Sequence, residues 1–125
     1  MRVSLLVVDD DARFRGLAER MLTGREIVVV GQAATVREAV EMAAALRPDA
    51  VLVDVGLPDG DGLTLARHLA GLPRRPRVLL TSSDRDATTQ QETLAAGAVG
   101  FVAKDDLPDA SLARLLAGGG EPEYR

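Results

Sequence analysis

Asp9-Asp10-Asp11, an isolated Asp54, Thr81-Ser82 and Lys104 each follow directly on a short apolar run. In an open parallel sheet the groups just past the strands gather along one edge, so these side chains are expected to share a cleft. Carboxylates crowded into a small cleft repel one another, and keeping them close requires protonation or a bound cation. Oxygen-only ligands favour a hard ion, Mg²⁺ with Mn²⁺ as the alternative. Mg²⁺ keeps several waters and takes one or two carboxylates, which leaves room for phosphoryl oxygens on the same ion. Lys104 is the only lysine of the chain, every other cationic side chain being Arg. A compact ammonium there suits a carboxylate or phosphoryl oxygen. Thr81 offers a hydroxyl donor, and the small Ser82 leaves space for an entering group. Together these pieces cover nucleophile, metal and charge stabilisation, the needs of phosphoryl transfer.

Each residue also has a purely structural reading, because Asp after a strand often caps a helix and Thr often ends one. The conjunction at successive strand ends favours chemistry. Asp11 is the exception and is assigned as the N-cap of the first helix.

The elements that must position these groups are legible as alternating patterns. Apolar runs at Val3 to Val8, Ile27 to Val30, Ala50 to Val53, Val78 to Leu80 and Val99 to Val102 read as buried strands. After the first, Phe14, Leu17, Ala18, Met21 and Leu22 fall on one helical face, with Gly24 expected to close the helix. Thr35-Val36-Arg37-Glu38 is a capping box opening a second helix, which Arg47-Pro48 ends. Leu63, Ala66, Leu69 and Ala70 mark a third, capped by Asp61. Leu94 and Ala95 close a fourth that runs into Gly97, and Pro108 is expected to start a short fifth. Strands buried on both faces and alternating with helices imply right-handed crossovers. The fold class is therefore α/β, a doubly wound five-stranded parallel sheet with helices on both faces. Residues 1–117 form a single domain, and the Gly118-Gly119-Gly120 stretch begins a flexible tail or linker stub over 118–125.

At 125 residues the chain fits one hydrophobic core. Its 46 % hydrophobic and 27 % charged residues disfavour disorder. A net charge of −4 argues against a nucleic-acid surface. The densest basic cluster, Arg74, Arg75 and Arg77 beside Pro73 and Pro76, reads as a solvated loop before a strand. The lack of Cys excludes a thiolate metal site and is compatible with a reducing, cytoplasmic setting. No leader and no bilayer-spanning apolar stretch is seen, so export and membrane anchoring are disfavoured. His68, the only histidine, falls on the polar side of the third helix and reads as a solvated surface residue.

The elements Leu5-Leu6-Val7-Val8-Asp9-Asp10, Val51-Leu52-Val53-Asp54-Val55-Gly56-Leu57-Pro58-Asp59-Gly60-Asp61-Gly62, Leu79-Leu80-Thr81-Ser82-Ser83 and Gly97-Ala98-Val99-Gly100-Phe101-Val102-Ala103-Lys104 resemble the receiver domains of two-component response regulators, over residues 2–117. The resemblance implies a flavodoxin-like fold. It implies that Asp54 receives phosphate from a sensor histidine kinase, and that Mg²⁺ is held by Asp10 and Asp54 directly, by Asp9 mainly through water, and by the backbone carbonyl of Gly56. Lys104 and Thr81 would then hold the phosphoryl oxygens, and Phe101 would be the switch aromatic that fills space vacated by Thr81. An ordinary core Phe is the alternative. Gly56 has no side chain where many members place a larger group that influences dephosphorylation. Lys104 precedes Asp105 rather than Pro, as in the subfamily whose members usually carry a C-terminal helix-turn-helix, the LuxR type.

The expected function is a phosphorylation-activated signalling switch, a stand-alone receiver without turnover of a separate substrate. An unknown downstream protein would meet the face made by the fourth helix, fifth strand and fifth helix, and the chain would be a monomer or a phosphorylation-dependent dimer. Direct nucleic-acid and membrane binding are not expected. The alternative is the receiver portion of a DNA-binding regulator. A more remote one is an Asp-nucleophile phosphatase, which typically needs a second Asp where Gly56 stands. A receiver that docks partners without phosphorylation would be expected to lack a site residue, and none is missing.

Overall fold

In a computed structural model the described residues are 2–24, 26–107, 116 and 123–124. The apolar runs form strands β1 (Val3–Val8), β2 (Ile27–Ala33), β3 (Ala50–Asp54), β4 (Arg77–Ser82) and β5 (Gly100–Ala103). Between them lie helices α1 (Ala12–Leu22), α2 (Val36–Leu46), α3 (Gly62–Ala70) and α4 (Gln90–Ala95). The sheet order is β2-β1-β3-β4-β5, with every pair parallel. Glu123–Tyr124, inside the stretch expected as a tail, pairs in parallel on the outer side of β5. The fifth helix expected from Pro108 lies outside the described residues apart from Leu116, which is helical and buried.

Strand alternation sorts the core into two layers. Leu6, Val8, Val51, Val53, Val78 and Leu80 face α2, α3 and α4. Leu5, Val7, Leu52 and Leu79 face the other side, where Ala18 of α1 and Leu116 pack. Each such buried side chain contributes about 1.5–3 kcal/mol, which is why the strand centres are the most rigidly specified part of the fold. The pairing of β1 with β2 is regular except between Leu5 and Leu6, whose partners are Val29 and Gly31, so Val30 is an extra, unpaired residue.

Helix ends account for the placement of the loops. Asp11 caps α1, accepting the N–H groups of Arg13 and Phe14. Gly24 does not close that helix. Thr23 is the C-cap, in extended geometry, and the Gly24 N–H donates to the Ile27 carbonyl in the turn into β2. Because the chain leaves α1 already extended, no left-handed residue is needed there. At α2 the Thr35 hydroxyl accepts from the Glu38 N–H at 3.0 Å, and the Glu38 carboxylate reaches back to the Ala34 N–H at 2.7 Å. The α4 start is a complete capping box between Thr89 and Glu92. Gly97, at φ +83°, follows α4 with Gly97 N–H donating to Leu94 and Ala98 N–H to Thr93, a paired closure that needs the left-handed conformation.

Candidate functional site

Strand register brings the candidate residues together. Val8 lies opposite Val53 between β1 and β3, so Asp9 and Asp54 emerge side by side where the chain order of the sheet reverses. Asp54 lies opposite Thr81, and Ser82 opposite Ala103, which sets Lys104 one residue further along the same edge.

Asp9 is fully buried. Its Oδ1 accepts the Asp11 N–H at 2.9 Å, while Oδ2 lies 2.7 Å from Lys104 Nζ, an ion pair without hydrogen-bond alignment. Arg15 donates from Nη1 to the Asp9 carbonyl at 2.7 Å and from Nε to Gln32, whose amide in turn donates to Glu19. This chain of donors fixes the turn that carries Asp9 and the exposed Asp10.

Asp54 is 8 % exposed. Its Oδ1 accepts the Gly56 N–H at 3.4 Å and its Oδ2 lies 3.7 Å from Lys104 Nζ. Burial, followed by the neighbouring Asp9 charge, pushes the Asp54 carboxyl up to about 6, against the opposing pull of Lys104 and the Gly56 N–H; Asp10 adds a smaller push. The loop after Asp54 is built rather than loose. Gly56–Leu57 and Gly60–Asp61 form a short antiparallel ladder, and Asp61 caps α3. The Asp59 carboxylate accepts the Val36 and Arg37 N–H groups at the start of α2, which hold it below the usual carboxylate range. A Cβ at Gly62 would meet the Asp54 carbonyl oxygen and the Val55 Cα, so only glycine lets α3 begin this close to the acceptor.

Lys104 Nζ also sits 4.2 Å from the centroid of the Phe14 ring. The Thr81 hydroxyl is buried and donates to the Val102 carbonyl at 2.7 Å. The Ser82 hydroxyl accepts the Asp84 N–H, and Arg85 pairs with Asp106 at 2.7 Å, joining the loops that follow β4 and β5. Phe101 is fully buried in the layer beneath α3 and α4. His68 is exposed in the last turn of α3.

The sequence reading brings Asp9, Asp10, Asp54, Thr81 and Lys104 to one edge, and that is where they lie. It assigns no role at this site to Phe14, Arg15, Asp59 or the Arg85–Asp106 pair. Arg15 and Phe14 are visible in sequence only as members of a helix that follows an acidic turn.

One carboxylate oxygen each from Asp9, Asp10 and Asp54 lie within 4.8 Å of one another. With one ammonium among three carboxylates, the cluster is short of positive charge, and the buried Asp9 Oδ2 accepts no aligned donor. An all-oxygen, electron-rich pocket of this kind fits a hard dication such as Mg²⁺.

The 2-1-3-4-5 parallel sheet is the flavodoxin-like doubly wound class of fold, and its acidic pocket lies at the topological switch point, where ligands of that class bind. The sequence model for the response regulator receiver domain matches residues 5–115, and the chain belongs to that family. It is 41 % identical over 107 residues to a protein-glutamate methylesterase/protein-glutamine glutaminase of Archaeoglobus fulgidus, covering 85 % of this chain and 30 % of that protein. It is 40 % identical over 106 residues to the DNA-binding transcriptional activator DevR/DosR of Mycobacterium tuberculosis, covering 82 % and 48 %. The fold superposes on a LuxR-family two-component response regulator from Aurantimonas sp. SI85-9A1 with a TM-score of 0.84 and 25 % identity, covering 100 % of this chain and 90 % of that one. The chain thus spans less than half the length of these two curated relatives. No helix among the described residues is long and apolar enough to cross a membrane.

Proposed function

We propose that the chain is a phosphorylation-operated switch in which Asp54 takes a phosphoryl group from the phosphohistidine of a sensor kinase. The observation that carries this reading is one ammonium, Lys104, placed 2.7 Å from Asp9 and 3.7 Å from Asp54 in a pocket of converging carboxylates. Asp10 and Asp54, with Asp9 through water and the Gly56 carbonyl, would hold Mg²⁺, which supplies charge neutralisation for the phosphoryl oxygens.

The residues of the chain divide the remaining work. An Asp54 carboxylate oxygen attacks phosphorus as the phosphorus–nitrogen bond to the donor imidazole breaks, its electron pair leaving with the imidazole. Lys104 would shift from its contact with Asp9, 2.7 Å away, toward the new phosphoryl oxygens. The Thr81 hydroxyl serves a phosphoryl oxygen only by giving up the Val102 carbonyl, which couples the chemistry to β5 and to Phe101 beside it. The readout face is then built on α4 and β5, where a downstream protein binds. The setting is cytoplasmic, the chain turns over no separate substrate, and it binds no nucleic acid by itself.

A second reading is favoured by coverage. Because relatives such as DevR/DosR extend well past the matched region, the chain would be the receiver portion of a larger regulator.

Incubation with a small phosphodonor and Mg²⁺, followed by intact-mass measurement, is expected to show one added phosphoryl group, absent from Asp54→Asn. Equal labelling of that variant would discard Asp54 as acceptor.

A further inference from the structure

The run Pro73-Arg74-Arg75-Pro76-Arg77, the densest basic stretch of a chain with net charge −4, takes no part in the acidic pocket. It joins α3 to β4 at the opposite, amino-terminal end of the sheet. There Leu72, Arg74 and Pro76 line one wall of a cavity of about 340 Å³, and Ala43, Arg47 and Pro48, at the end of α2, line the other. Cavities of about 300–1,000 Å³ with mostly apolar walls and a few polar groups are the usual form of small-molecule sites.

The walls are preformed. Pro48 and Pro76 are buried, and their rings fix the backbone at both sides. Arg47 caps α2 in the left-handed conformation, φ 48°, ψ 57°, a position that glycine occupies without strain. Its side chain is exposed and has no ion-pair partner among the described residues. Arg74 Nη2 lies 3.5 Å from Asp49 Oδ1, the other oxygen Oδ2 accepting the Ser4 N–H and hydroxyl, and the Arg74 side chain remains 68 % exposed. Two exposed arginines, Arg47 and Arg74, the second engaged by one long ion pair alone, thus line an apolar hollow.

We propose that this cavity binds a small aromatic carboxylic acid. The carboxylate is held by the forked donors of Arg47 and Arg74, and the ring lies against Ala43, Leu72 and the proline rings. Guanidinium groups are suited to both parts of such a ligand, since they pair with carboxylates through parallel donors and stack on aromatic faces.

The test is an amide NMR titration of the full chain with naphthoate and, separately, with the neutral naphthamide. Naphthoate is expected to give saturable shifts at residues 43–48 and 72–77, with naphthamide binding at least tenfold more weakly. Arg47→Gly, which relaxes the left-handed backbone, is expected to keep the thermal midpoint and weaken naphthoate at least tenfold, and Arg74→Gln to weaken it severalfold. The proposal is overturned if naphthoate gives no saturable shifts at these residues. It is equally overturned if the shifts centre on the Asp54 pocket, or if naphthamide and both variants bind as well as naphthoate does to the parent chain.

Discussion

Asp54 meets opposing demands, because a nucleophile must be ionised while its surroundings favour the neutral acid. Its carboxyl is displaced from 3.8 to about 6 in a site where the side chain is 11 % exposed. The fold thus binds this proton more tightly than the unfolded chain does. The favourable contribution is complete below about pH 4 and is lost as pH rises through about 6. Asp54→Asn removes the buried charge and is expected to stabilise the metal-free protein by about 3 kcal/mol at pH 7.5, from the ~1.4 kcal/mol that each pKa unit represents. The advantage should vanish toward pH 4. Urea unfolding in a chelator across this range measures it, and a variant less stable than the parent at pH 7.5 contradicts the account. The aspartates, Thr81 and Lys104 were readable in sequence because residue type and strand-end position both marked them. Phe14 and Arg15 were not, because their contacts with Lys104 and the Asp9 carbonyl depend on how α1 sits over the strand end.

At the scale of elements, the site depends on α3 starting against the end of β3. The Gly62 N–H donates to the Val55 carbonyl at 2.7 Å, and a side chain there would strike backbone atoms that cannot yield by rotating. Gly62→Ala is therefore expected to cost about 2 kcal/mol or more in stability, in the upper part of the range for forced overpacking. It should also slow phosphoryl acceptance, because the displaced backbone is that of Asp54. Paired unfolding and labelling measurements check both, and an unchanged unfolding midpoint would remove the close approach from the account. The strand centres and most helix starts were legible, since buried runs and the Asp11, Thr35 and Asp61 caps are local signals. Gly24 misled, because glycine marks either a helix end or a turn and only the path into β2 decides which. The Gly56–Leu57 ladder with Gly60–Asp61 gave no signal, being too short to show alternation, and the Asp59 clamp on α2 joins segments distant in sequence.

Across the whole molecule acidic side chains gather at the carboxyl edge of the sheet, where Asp9, Asp10, Asp54, Asp59, Asp84 and Asp106 lie with Arg15, Arg85 and Lys104 among them, while Arg47, Arg74 and Arg77 lie toward the amino edge beside Asp49. A dication that binds the folded pocket alone stabilises the fold by mass action, about 2.7 kcal/mol at a hundred times its dissociation constant. Mg²⁺ is therefore expected to raise the thermal midpoint by several degrees beyond NaCl of equal ionic strength, and Asp10→Asn with Asp54→Asn to abolish the difference. Equal shifts with both salts in the parent chain would leave no specific site. The doubly wound class was legible from alternation, but the order of strands was not, because pairing is decided by crossovers between segments far apart. The amino-edge cavity was equally hidden, its walls coming from either side of β3.

The extra residue Val30 bears on how the chain behaves when crowded. β2 is an outer strand whose seven residues include no charge and no proline, a composition that invites another molecule to add a strand of its own. The irregularity between Leu5 and Leu6 splits that edge into two short pieces, neither long enough to template a neighbour well. Deleting Val30 is expected to make the strand regular and the protein stickier, seen as greater light scattering on refolding at high concentration. Unchanged scattering would mean that the irregularity offers no protection against aggregation.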